Sequence, residues 1–147
     1  MGATVLDAYA GTGALGIEAL SRGAGSASFF EKEPEYLPII RQNIQRYSHE
    51  ARLYPVAIEK APQANSPVDI AFFDPPYGLE DLMPTLAQLA QKGWLNRESL
   101  CVYEFDAKRE KSQDQLPQAL KACSENLSVQ HQLKTGRNGF IFFYYSS

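Results

Sequence analysis

The chain has 147 residues, 44% hydrophobic and 21% charged, with a net charge of -3 and a pI near 5.4. That size supports one domain with one core, and the composition is that of a folded globular chain rather than a disordered or fibrous one. The acidic balance argues against a free-standing binder that neutralises nucleic-acid phosphates with a basic face, though a local basic surface, or one supplied elsewhere, stays open.

Short β-rich runs alternate with amphipathic helical runs, which predicts an α/β fold built on a mostly parallel sheet with helices on both faces. The first strand is expected over Ala3 to Asp7, followed by glycines and a helix from Ala14 to Arg22 that Gly23 closes as a C-cap. "SASFFE" from Ser26 reads as the second strand. The next helix accepts Pro34 in its first turn and places Leu37, Ile40, Ile44 and Tyr47 three and four apart. Further strands are expected over Arg52 to Val56, Val68 to Phe73 and Leu100 to Phe105. Between the last two, Leu79, Leu82, Leu86 and Leu89 mark a core-facing helical stripe ending near Gly93. "QDQLPQALKAC" reads as a short helix, and "LSVQHQLK" and "FIFFYY", joined across a turn at Gly136 to Gly139, as a closing antiparallel hairpin. Its aromatics are read as core. No repeat, low-complexity tract or linker divides residues 1–147.

Cys101 and Cys123 stand far apart with neither a CxxC pair nor a histidine at ligand spacing, so both are read as small core hydrophobes and no metal site is expected. His49 and His131 are the only histidines, and no serine sits in an elbow motif. The usual nucleophile and base pairs are therefore missing, and any chemistry must rest on carboxylates, backbone groups or a cofactor. No apolar run nears the roughly 18 residues of a membrane span, and the N-terminus carries no secretory signal, so a cytoplasmic protein is expected.

"VLDAYAGTGALGIEAL" sets Gly11, Gly13 and Gly16 in GxGxxG spacing after a strand and at the opening of a helix, the context in which backbone can approach a ligand closely. Glu31 ends the second strand, where a carboxylate can accept both hydroxyls of a ribose. Asp7 ends the first strand, immediately before the loop. A negative charge there opposes a pyrophosphate and suits the ammonium and sulfonium of S-adenosyl-L-methionine, which favours that cofactor over NAD. Asp7, Ala10, Gly11, Gly13 and Glu31, joined by Asp74, are the candidate cofactor contacts. A helix or turn cap is the alternative role for Asp7.

"LDAYAGTGALGIEALSRGA", followed by "FFEKEP" and later by "FFDPPY", resembles the class I S-adenosylmethionine-dependent methyltransferases, and "GALGIEALSRGA" with "KGWL" resembles the RsmD-like family of 16S rRNA guanine-N2 methyltransferases. The resemblance spans nearly the whole chain and implies a Rossmann-like domain over residues 1–147, with a seven-stranded, mostly parallel sheet and a C-terminal antiparallel hairpin. It implies that Asp74, Pro75, Pro76 and Tyr77 form the loop that holds a target amino group. The lone pair of such an amine is delocalised into the base ring. Acceptors at Asp74 and the Pro75 carbonyl would favour a pyramidal nitrogen, prolines would stiffen the loop, and Tyr77 would offer a ring on which a flipped-out base stacks. No strong base is required, because the methylated ammonium is acidic. The alternative for this loop is a turn with an N-cap aspartate.

Ribosomal RNA within a partly assembled small subunit is the implied partner, and a monomer the implied state. Where family members often carry an acid or amide for the adenine ring, this chain has Ala57, leaving backbone or Glu59 for that task. Glu104, at the end of the fifth strand, and Arg137, in the hairpin turn, could face the substrate; a solvated acid and a surface arginine are the preferred readings. Family members also place a basic segment and a helix before the first strand, so a chain opening at Met1 is expected to be truncated or divergent, with reduced or no activity by itself. DNA or protein amino-group methylation, an NAD-dependent oxidoreductase and a non-catalytic cofactor-binding protein are the competing readings.

Overall fold

A computed structural model describes residues 2–106 and 110–147, with only the backbone of 110–115. Seven strands form one sheet in the order β3-β2-β1-β4-β5-β7-β6. They are β1 (Thr4–Asp7), β2 (Ser26–Phe30), β3 (Ala51–Tyr54), β4 (Ile70–Phe73), β5 (Leu100–Asp106), β6 (Leu127–Thr135) and β7 (Asn138–Tyr145). The first five run parallel, while β7 pairs antiparallel with both β5 and β6. The helices are α1 (Ala14–Ser21), α2 (Leu37–Asn43), α3 (Leu79–Gln91) and α4 (Glu110–Ala122). This is the Rossmann-like class I methyltransferase fold.

The strand alternation explains the two cores. Val5, Ala27 and Phe29 point to one face and pack with Leu20 of α1 and Ile40 of α2. Leu6, Ala71, Phe73, Cys101, Ile141 and Phe143 point to the other and pack with α3. The stripe Leu79, Leu82, Leu86 and Leu89 is at most 2% exposed. Each such leucine contributes roughly 1.5–3 kcal/mol through burial. Both cysteines are buried and free, as read from the sequence, and burial pushes the Cys101 thiol up to about 12.

Several boundaries differ from those the sequence suggests. The second helix begins at Leu37 and takes Pro38, not Pro34, into its first turn; Tyr47 falls in a separate 3-10 turn, Gln45–Tyr47. Between β3 and β4 the chain forms only a 3-10 turn, Ile58–Lys60, so β3 ends at Tyr54 rather than Val56. β4 starts at Ile70, because the Val68 amide is spent on the Trp94 carbonyl (2.8 Å) rather than on a strand neighbour.

The topology creates one crevice. Strand β1 lies between β2 and β4, and the chain departs to opposite sides of it. Ligands of open α/β sheets bind outside the C-terminal ends of strands at such a switch point.

Candidate active site

The loop leaving β1 is held at both flanks. The Ala8 amide donates to the Phe72 carbonyl (3.1 Å) and the Ala10 amide to the Phe30 carbonyl (2.9 Å), so the segment is stretched between β4 and β2. Gly11 and Gly13 then adopt left-handed φ of 56° and 88°, which L side chains rarely accept. The third glycine of the motif serves packing: a Cβ on Gly16 would lie 2.3 Å from the Phe29 ring, so α1 can approach β2 only without one.

Carboxylates secure this loop. Asp7, 2% exposed, accepts the Gly16 amide at 3.1 Å and so satisfies an orphan N–H at the start of α1, whose own cap residue Gly13 has no side chain to do so. The cap reading of Asp7 is therefore part of its role. Glu31 accepts the Gly11 amide on Oε1 (2.7 Å) and the Glu33 amide on Oε2 (2.8 Å). Each of its oxygens keeps a further lone pair. From α2, the Asn43 amide donates to the Thr12 carbonyl at 2.9 Å.

The crevice is acidic. Burial pushes the Asp7 carboxyl up to about 7; the Gly16 amide opposes that rise, and Asp74, Glu31 and Glu104 reinforce it. Four carboxylates thus share one field around the C-terminal ends of β1, β2, β4 and β5. Glu104 is a correction to the sequence reading: it is half-buried rather than solvated, and burial and Asp74 together raise its carboxyl. Arg137 is exposed as expected and donates to Asp106 at 3.3 Å.

After β4 the chain is far less constrained. Asp74 and Pro76 are exposed, and Pro75 and Tyr77 are half-buried. No side-chain hydrogen bond or ion pair engages Asp74 among the described residues, and desolvation by the surrounding chain raises its carboxyl above the ordinary carboxylate value. Asp74 to Tyr77 line one wall of an open cavity of about 630 Å³. Tyr103 and Phe105 of β5, stacked with centroids 5.7 Å apart, line another, and α4 closes it through Leu116 and Ala119. That volume lies within the range of small-molecule pockets.

The fold gathers Asp7, Ala10, Gly11, Gly13 and Glu31 around the loop that leaves β1, and sets Asp74, Pro75, Pro76 and Tyr77 together in the loop after β4. Ala57 caps the short 3-10 turn, and Glu59 is exposed beside it. Two residues escaped the sequence reading. Asn43 lies on a helix face with no pattern to mark it, and Tyr9 carries its hydroxyl to that of Tyr77, 68 positions away (2.5 Å). Only the tertiary fold brings such a pair together.

Comparisons with known proteins bear on the family and the fold. The family model described as "Conserved hypothetical protein 95" matches residues 1–137. The protein named ribosomal RNA small subunit methyltransferase D of Buchnera aphidicola is 33% identical over 111 residues, covering 71% of this chain and 56% of its own length. Its namesake in Escherichia coli K12 is 35% identical over 106 residues, covering 71% and 54%. The chain thus spans about half the length of the curated relatives it matches. Among solved structures, the Escherichia coli protein yhhF superposes with a TM-score of 0.78 at 27% identity, covering 99% of this chain and 78% of that one. A ribosomal protein L11 methylase of Lactobacillus delbrueckii subsp. bulgaricus reaches a TM-score of 0.76 at 20% identity over 100% of this chain and 72% of its own, a likeness of fold alone. The chain belongs to the conserved hypothetical protein 95 family, the RsmD-like family of class I methyltransferases.

Proposed function

We propose that this chain methylates an exocyclic amino group in ribosomal RNA, guanine N2 of the small subunit, with S-adenosyl-L-methionine as methyl donor. One observation carries the reading: an acidic glycine-loop cradle lies at the switch point, within the field of an exposed carboxylate, Asp74, that makes no side-chain hydrogen bond or ion pair among the described residues. The names of the relatives support ribosomal RNA as the substrate class. The charge of the crevice suits the cofactor, since Asp7, Glu31, Asp74 and Glu104 attract a sulfonium and an ammonium and oppose a pyrophosphate. Gly11 adds a place of close approach, because nothing lies within 4 Å of where its Cβ would be.

When bound, the cofactor supplies an electrophilic methyl group on a positively charged sulfur. Glu31 would hold the ribose through the lone pairs its backbone donors leave free. Asp7 and the glycine-loop backbone at Gly11 and Gly13 would line the methionine end. Asp74 and the Pro75 carbonyl would accept the two N–H groups of the target amine, freeing its lone pair for attack. Fixed φ at Pro75 and Pro76 preorganises these acceptors. Tyr77 would stack on the base within the 630 Å³ cavity, a contact worth roughly 1–3 kcal/mol. The proton released afterwards has a direct path to solvent past exposed Asp74, so no histidine is needed.

The chain is taken to act as a single-domain monomer on a partly assembled small subunit, whose proteins supply contacts that an acidic chain does not. Calorimetric titration with S-adenosyl-L-methionine, and with NADH in parallel, tests the cofactor. Micromolar binding of the first alone is expected; binding of NADH alone overturns the reading. Transfer of a labelled methyl group to precursor ribosomal particles, followed by nucleoside analysis, then tests the base.

A further inference from the structure

Tyr9 stands between Asp7 and Ala10 in the loop proposed to hold the cofactor, yet its side chain leaves that side of the crevice. It packs against the core cluster beneath α3 and sets its hydroxyl against that of Tyr77. The two rings meet edge to face, with centroids 6.2 Å apart and planes at 87°. Thr85 of α3, only 5% exposed, is a near neighbour of the Tyr9 phenol and partly offsets the rise in its pKa. Burial, reinforced by the bond to Tyr77, holds the Tyr9 phenol above its ordinary pKa, so it stays protonated throughout the neutral range.

Residues 74–77 have few other ties. Asp74 makes no side-chain hydrogen bond among the described residues, the prolines can donate none, and the Tyr103 hydroxyl reaches the Tyr77 carbonyl only at 3.4 Å. The Tyr9–Tyr77 bond is thus the shortest side-chain hydrogen bond of the target loop among the described residues, and it ends on the cofactor loop. The flanks of Tyr9 are fixed to β4 and β2 through Ala8 and Ala10, so its side chain moves with the backbone that would meet the cofactor.

We propose that Tyr9 is a positioning residue that couples occupancy of the cofactor cleft to the posture of the Asp74–Tyr77 loop. The inference rests on the cofactor reading above and adds to it an order of events: cofactor binding stiffens the loop, and by linkage a stacked base tightens the cofactor.

Hydrogen exchange across residues 72–82, measured on the wild-type chain, Tyr9→Phe, Tyr77→Phe and the double variant, with and without S-adenosylhomocysteine, tests this. Without ligand, each single variant should speed exchange of the protected amides from β4 into the first turns of α3 by about tenfold, the size of one lost hydrogen bond, and the double variant no further. With ligand, protection of these amides should rise in the wild-type chain and not in Tyr9→Phe, while ligand affinity changes less than about twofold. A merely structural role predicts instead faster exchange throughout β1 and β4. Unchanged exchange in Tyr9→Phe, or ligand-induced protection that survives in it, overturns the proposal. If the ligand fails to bind at all, the cofactor reading and the coupling fall together. The unliganded variants then still decide whether Tyr9 holds the loop.

Discussion

The two sides of the crevice differ in how their polar groups are satisfied. On the cofactor side, Asp7, Glu31 and Asn43 each hold a backbone group of the glycine loop, so the loop is braced before any ligand arrives. On the target side, the Asp74 carboxylate has no such partner among the described residues and stands exposed. A binding cradle gains from being fixed in advance, whereas an acceptor meant for a substrate must remain free to receive its N–H groups. The contrast teaches which residues serve architecture and ligand together, and which serve ligand alone.

That contrast can be broken or sharpened by substitution. Asp74→Ala should lower methyl transfer by roughly a thousandfold or more while leaving cofactor affinity within about threefold, read by turnover and calorimetry on one preparation. Equal loss of both would place Asp74 in the architecture and erase the difference between the sides. Gly16→Ala should cost about 2–3 kcal/mol in chemical denaturation, since its Cβ would press into the Phe29 ring and push α1 off β2.

Asp7 gives an intermediate effect with a defined sign. With its folded pKa raised from 3.8 to about 7, the native chain holds a proton between those values that the unfolded chain has released. Stability should therefore fall as pH rises from about 4 through 7, a loss of several degrees in Tm, and level off above. Asp7→Asn, which keeps an acceptor for the Gly16 amide, should flatten that slope. A cationic ligand favours the charged carboxyl, so cofactor affinity should rise over the same interval. At the far end of the scale, the exposed Arg22–Glu18 pair at 2.7 Å contributes little; Arg22→Ala should shift stability by less than about 0.5 kcal/mol.

Much of this was legible in the residues. Alternation of strand and helix patterns gave the layers, and the leucine stripe of α3 has its predicted orientation because burial follows the 3.6-residue period. The boundaries of α2 and β4 were less legible. Pro34 is compatible with a helix start but does not impose one, and the Val68 amide is diverted by Trp94, a partner 26 positions away. Glu104 was misjudged for a related reason: its place on β5 was visible, but not the burial and the neighbouring Asp74 that raise its carboxyl.

The sequence by itself determined the chemistry on offer: glycines where left-handed backbone is needed, an acid at the end of β1 and another just beyond β2, and a proline-stiffened Asp74 after an apolar strand. These are local properties, set by φ preference, strand length and charge. Only the tertiary structure decided that four carboxylates share one field, that Asp7 caps α1 from nine residues away, and that Tyr9 meets Tyr77 across the crevice. Contacts between distant positions depend on strand order and register, and a single sequence carries no periodic signal for them.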